Sequence, residues 1–206
     1  MLPWDDDVDI RVSIADRYRL QSIILGHLSA EPHSLVLMQM HNERNYDKVF
    51  FSWCPHTSIT PWRYPFIDIF YHDQNATHVW LVGKPNDCPV RRGDVFPLVL
   101  RPLGTLWLYG PYQPMAHFES RYMPRVESNC YVITYSHKFE RTIRTDVLQP
   151  DCSQLKSFYP YVERRCTNQC TEVLKLGDNT IIHTLVYNYA YRTFSYIDRN
   201  SSYTPC

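Results

Sequence analysis

The chain has 206 residues, 44% of them apolar and 20% charged, which is enough to bury one core and too apolar for a disordered segment. Twenty-one basic residues balance twenty-one acidic ones, which argues against bulk electrostatic binding to nucleic acid or to an anionic membrane surface. No apolar run reaches the roughly 18–20 residues that span a bilayer, and the first ten residues are acidic where a secretory leader is basic and then apolar, so neither leader nor anchor is expected within these residues.

Residues 9–14, Asp-Ile-Arg-Val-Ser-Ile, alternate and predict a strand. Asp16 is placed to cap a helix over 17–30, with Leu20, Ile23, Ile24 and Leu28 as its apolar face. Four short strands are expected over 33–40, 48–53, 65–72 and 78–83, separated by polar or proline-containing turns. A charged loop from Gly83 to Val95 leads into two further strands within 95–110. Pro114 can open a helix over 115–123 that Pro124 stops. Beyond about residue 145 the texture turns to Pro, Cys and Tyr. There 171–176 predicts a short helix closed by Gly177, and 179–197 one or two tyrosine-rich strands. The pattern is α+β with a mixed or antiparallel sheet. It divides into a domain over 1–145 and a Cys/Tyr-rich extension over 146–206.

Seven cysteines and two glycosylation triplets, Asn75-Ala76-Thr77 and Asn200-Ser201-Ser202, fit the secretory route. The cysteines leave buried thiols and disulfides both open. Cys166-x-x-x-Cys170 lacks a second close pair, so no structural zinc is expected. Cys54 reads as core, and the exposed basic pair Arg91-Arg92 as a solvated loop.

The chemistry gathers in the acidic opening. On a strand, Val8, Ile10, Val12 and Ile14 point to one face, while Asp5, Asp7, Asp9, Arg11 and Ser13 point to the other. Carboxylates about 7 Å apart along one face repel unless a cation lies among them. Oxygen-only ligands suit Mg²⁺ or Mn²⁺. A calcium loop is excluded because its sixth position needs Gly and here holds Ile10. Asp6 falls on the opposite face and reads as a bystander. Asp68 lies within Phe66-Ile67-Asp68-Ile69-Phe70, where an unpartnered carboxylate is expensive to bury. It is either a core Asp held by backbone donors or an Arg, or the third carboxylate of one metal site with Asp7 and Asp9.

"LPWDDDVDI" followed by "FIDIF" resembles the LicD/fukutin family of nucleotidyltransferase-fold enzymes. "GDVFPLVLRPLGTLWLYGP" and "CYVITYSHKFE" match later family segments in the same order, so the resemblance runs from residue 3 to about 145, with a weaker echo in "LKSFYPYVERR". It implies that Asp7 and Asp9 are the paired metal ligands, that Asp68 is the third carboxylate and the proton acceptor, and that Asp5, which begins the extended motif, is a further candidate metal ligand. His137 and Lys138 are implied to have a binding role, toward donor phosphates or acceptor groups. The implied activity moves a phosphoalcohol, of the phosphocholine or ribitol phosphate type, from a cytidine-diphosphate (CDP) donor to a glycan or glycoprotein in the Golgi, with Mg²⁺ or Mn²⁺. Two alternatives are nucleotidyl transfer on the same fold and a non-catalytic glycan-binding relative. The fold's Gly-Ser or Gly-Gly turn, about a dozen residues before the paired Asp, has no counterpart in the six residues before Asp7. The expectation is therefore a nucleotidyltransferase-like mixed sheet with flanking helices, lacking its first helix and that turn. Activity and any membrane anchor would then depend on an upstream segment.

Overall fold

The computed structural model describes residues 6–30, 35–40, 46–84, 89–103, 106–116, 135–142 and 152–188. A six-stranded sheet organises the first half. Strands β2 (Leu35–Gln39), β3 (Tyr46–Phe51), β4 (Phe66–Gln74), β5 (His78–Leu81) and β6 (Val90–Arg91) follow one another as antiparallel neighbours. The first strand, β1 (Val8–Ser13), pairs with β4 in parallel, from Val8 opposite Ile67 to Ser13 opposite His72. A parallel partner needs a crossover. Helix α1 (Arg17–Ala30) begins that return.

The sheet buries both faces at its centre. On one face Val49, Ile69 and Tyr71 pack with Ile10, Val12 and Ile14 from β1 and with Leu20 and Ile24 from α1. On the other, Phe50, Trp62 and Phe66 pack with Val36, Met38, Met40 and Tyr64. Alternation along β3 and β4 sends Val49 one way and Phe50 the other, so a near-continuous apolar run is what this central position demands.

The helix departs from its expected face. Ile23 is exposed, and the residues turned to the sheet are 17, 20, 21 and 24, one helical stripe. Two of these are polar because Asp47 lies fully buried beneath them. Its carboxylate accepts from Arg17 Nη2 at 2.7 Å, Gln21 Nε2 at 2.8 Å and Tyr71 Oη at 2.6 Å. Burial, with the neighbouring Asp47, pushes the Tyr71 phenol well above its ordinary range. Nor does Asp16 cap the helix. A 3-10 turn, Ile14–Asp16, intervenes, and Ser13 caps it by accepting from the Ala15 amide at 3.3 Å. The side chain of Leu28 lies outside the described residues.

Strands β7 (Val99–Leu103) and β8 (Leu106–Gly110) form the expected hairpin. The charged loop before them contains β6 and a one-turn helix, Arg92–Val95. Of the helix expected after Pro114, residues 114–116 are helical and the rest lies outside the described residues. A short pair, β9 (Tyr135–Ser136) and β10 (Arg141–Thr142), follows.

The last sheet is a meander of β11 (Tyr161–Cys166), β12 (Gln169–Leu176) and β13 (Thr180–Asn188). The helix expected over 171–176 is the central strand β12. Thr171 and Val173 favour the pleated state, and pairing on both edges outweighs the helical preference of Leu and Lys. Gly177, at φ 62°, makes the turn into β13 rather than closing a helix. Cys166 and Cys170 form a disulfide across the β11–β12 turn, while Cys54 is a buried free thiol. Buried Glu172 accepts from Arg101 Nε at 3.2 Å and Arg164 Nε at 3.1 Å, tying this sheet to β7. No described helix is long and apolar enough to cross a membrane.

Candidate metal centre

The register of three strands builds the site. Asp68 of β4 stands opposite Asp9 of β1 on one edge and opposite Lys48 of β3 on the other. All three therefore share one face, the face that also carries Phe50 and Phe66. Asp7, one residue before β1, completes the group. One oxygen from each of Asp7, Asp9 and Asp68 lies within 4.8 Å of the others. Asp9 is exposed, Asp7 half-buried and Asp68 buried, so the cluster opens to solvent at the β1 side.

Lys48 answers how Asp68 is held. Its ammonium donates to Asp68 Oδ1 at 2.5 Å, and both residues are buried. The same ammonium lies 3.6 Å from the ring centre of Phe66, 4.8 Å from Trp62 and 5.4 Å from Tyr46. The cation is thus fixed between a carboxylate and aromatic faces. Burial pushes the Asp68 carboxyl above its ordinary value, and the bond and charge of Lys48 work against that rise.

The far rim comes from residues 135–140. His137 Nδ1 lies 2.7 Å from Asp6 Oδ1, and its Nε2 lies 3.2 Å from Asp7 Oδ2. Asp6 also accepts from Ser136 Oγ at 3.1 Å and from the His137 amide at 3.2 Å. Burial alone would raise Asp6, yet the bonds from His137 and Ser136 hold it below its ordinary value. Asp6 is therefore no bystander. It precedes β1, where strand alternation does not govern direction, and it anchors this segment. Glu140 secures the other end by accepting from Trp62 Nε1 at 2.8 Å and Tyr135 Oη at 2.9 Å. Beside the cluster, burial and then the charges of Asp6 and Asp7 push the Tyr64 phenol up.

Of the residues expected from sequence, Asp7, Asp9 and Asp68 come together, and His137 stands against Asp7. The Lys138 amide faces Asp6 at 3.5 Å, while its ammonium lies 5.5 Å from the ring centre of Phe139. Asp5 lies outside the described residues. Sequence reading missed Lys48 and the anchor formed by Asp6. The signal for Lys48 was available: a charged residue next to Val49-Phe50-Phe51 poses the same question as Asp68 within its own apolar strand.

The donor set fits a hard divalent cation. Three carboxylates, from β1, from the residue just before it and from its neighbour β4, offer oxygen alone, with no thiolate. A family model described as "LicD/FKTN/FKRP, nucleotidyltransferase domain" matches residues 1–113, a span that contains β1 to β8 and all three carboxylates. No curated protein and no solved structure matches the chain.

Proposed function

The chain belongs to the LicD/FKTN/FKRP family, and from that premise we propose that it transfers a phosphoalcohol from a CDP-activated donor to a glycan or glycoprotein. The observation that carries this reading is the convergence of Asp7, Asp9 and Asp68 within the matched span. These carboxylates would hold the divalent ion, Mg²⁺ or Mn²⁺, and when bound it supplies positive charge against the donor diphosphate and the departing cytidine monophosphate.

The chain's own residues would divide the remaining work. Asp68, buried and carrying a raised carboxyl, is the group proposed to accept the proton of the attacking hydroxyl. Lys48 donates to its Oδ1 and so orients the carboxylate. His137 and Lys138 stand at the rim, where Asp6 sets their backbone, and are the proposed donor contacts. Asp5 would extend the acidic motif. Trp53, 70% exposed and stacked with Phe51 at 5.1 Å, offers a broad apolar face to an acceptor sugar. In this reading 1–145 is the transferase-type domain and 146–206 an extension, and the protein works in the secretory pathway, in the Golgi.

The test is transfer from CDP-alcohol donors labelled in either half, with residues 1–206 and with a form extended upstream by a Gly-Ser turn. Metal-dependent passage of the alcohol phosphate to the acceptor is the expected result. Passage of the cytidylyl half would establish nucleotidyl transfer instead. Glycan binding without turnover in either form, and without metal, would establish a binding module.

A further inference from the structure

The β4–β5 turn carries Asn75, Ala76 and Thr77, one of the chain's two Asn-x-Ser/Thr triplets. All three residues are exposed, and an open pocket of about 360 Å³ lined by Ala76, Thr77, His78, Arg91 and Gly93 lies alongside. Asn75 is organised in one particular way. Its amide N–H donates to His78 O at 2.9 Å. Its side-chain Oδ1 accepts from the Thr77 amide at 2.8 Å, Thr77 Oγ1 at 3.0 Å and the His78 amide at 2.8 Å. Every bond that the side chain makes among the described residues falls on the oxygen, and Nδ2 faces no protein partner there.

We propose that Asn75 is an acceptor of N-linked oligosaccharide. Transfer joins Nδ2 to the anomeric carbon of a polyprenyl-diphosphate-linked oligosaccharide. The carbon–oxygen bond to the diphosphate breaks, the lipid diphosphate leaves with that electron pair, and Nδ2 gives up one proton to a base of the transferring enzyme. Such transfer meets the emerging chain, and the folded protein must then accommodate a bulky polar group. Asn75 satisfies that condition atom by atom. The modified nitrogen bonds no described residue, and all three bonds to Oδ1 survive.

Two further observations agree. The Cys166–Cys170 disulfide belongs to an oxidising compartment, the one that contains this glycosylation chemistry. Asn75 lies seven residue steps beyond Asp68, along β4 and into its turn, about 23 Å at 3.3 Å per step, so a glycan there stands clear of the carboxylate cluster. The proposal does not depend on the transferase reading, because a binding module with this turn would carry the same glycan.

The full 206-residue chain, translated behind a cleavable leader in the presence of endoplasmic reticulum microsomes, tests it by gel mobility before and after peptide N-glycosidase treatment. A glycosidase-sensitive shift should be lost or reduced by one glycan in both Asn75→Gln and Thr77→Ala, and kept in Thr77→Ser. Denaturing mobility reads the modification whether or not a variant folds well. No glycosidase-sensitive shift in the parent overturns the proposal. So does a shift that Asn75→Gln leaves intact and Asn200→Gln abolishes.

Discussion

Replacing Lys48 by Met keeps the length of the side chain and its contact with Phe66, Trp62 and Tyr46 but removes the ammonium from Asp68. Both partners are buried, so Asp68 is left as an uncompensated carboxylate in an apolar strand. Breaking one side of such a pair costs about 3–5 kcal/mol. For a chain of this size each kcal/mol moves the melting temperature by roughly 2–4 °C, so the expected loss in chelator is on the order of 10 °C. Burial already raises the Asp68 carboxyl, which fixes the pH dependence. A carboxyl raised by folding favours the folded state below its ordinary value, and that advantage disappears as pH rises through the folded value. The deficit of Lys48→Met should therefore shrink as pH falls. A divalent ion should also stabilise the variant more than the parent, because it becomes the main counter-charge to Asp68. Thermal unfolding in chelator and in Mg²⁺, at neutral and acid pH, measures all three effects. A variant that melts with the parent in chelator, and gains no more from Mg²⁺, refutes the pairing argument.

Asp6→Asn should cost about 1–2 kcal/mol and speed hydrogen exchange over residues 135–142, since Asp6 takes charge-assisted bonds from Ser136 and His137; unchanged exchange there would remove its anchoring role. Asp9→Asn should hold or raise stability in chelator, because one of three converging carboxylates loses its charge; a clear loss would mean that Asp9 serves the fold. Burial, with the nearby Arg11, lowers His72 below its ordinary 6.5, so folding prefers the neutral ring. Its stabilising contribution is present above 6.5 and lost as pH falls below it, and His72→Phe should flatten that part of a denaturant-midpoint profile against pH.

The face of β1 and the strand at 66–74 were legible because a period of two with one buried side leaves little freedom. The convergence of Asp7, Asp9 and Asp68 followed from those faces together with the family motif. Long-range pairing was harder to read. That β3 would place Lys48 against Asp68 depends on a register no local pattern encodes, and the same holds for Asp47 beneath Arg17 and Gln21. The α1 stripe was misplaced for that reason: its polar members look solvated until their buried acceptor is known. Residues 171–176 of β12 read as a helix because they carry helix formers, and only β11 and β13 on the two edges of that strand decide otherwise.

Mn²⁺ titration of the chelator-treated chain, followed by the loss of free-ion paramagnetic resonance signal, tests the metal centre most directly. The account predicts saturable binding that Asp7→Asn, Asp9→Asn and Asp68→Asn each weaken at least tenfold, while Asp73→Asn, an exposed carboxylate of the same strand β4 outside the cluster, leaves it unchanged. Absence of saturable Mn²⁺ binding by the parent chain, or equal binding by all four variants, would contradict it.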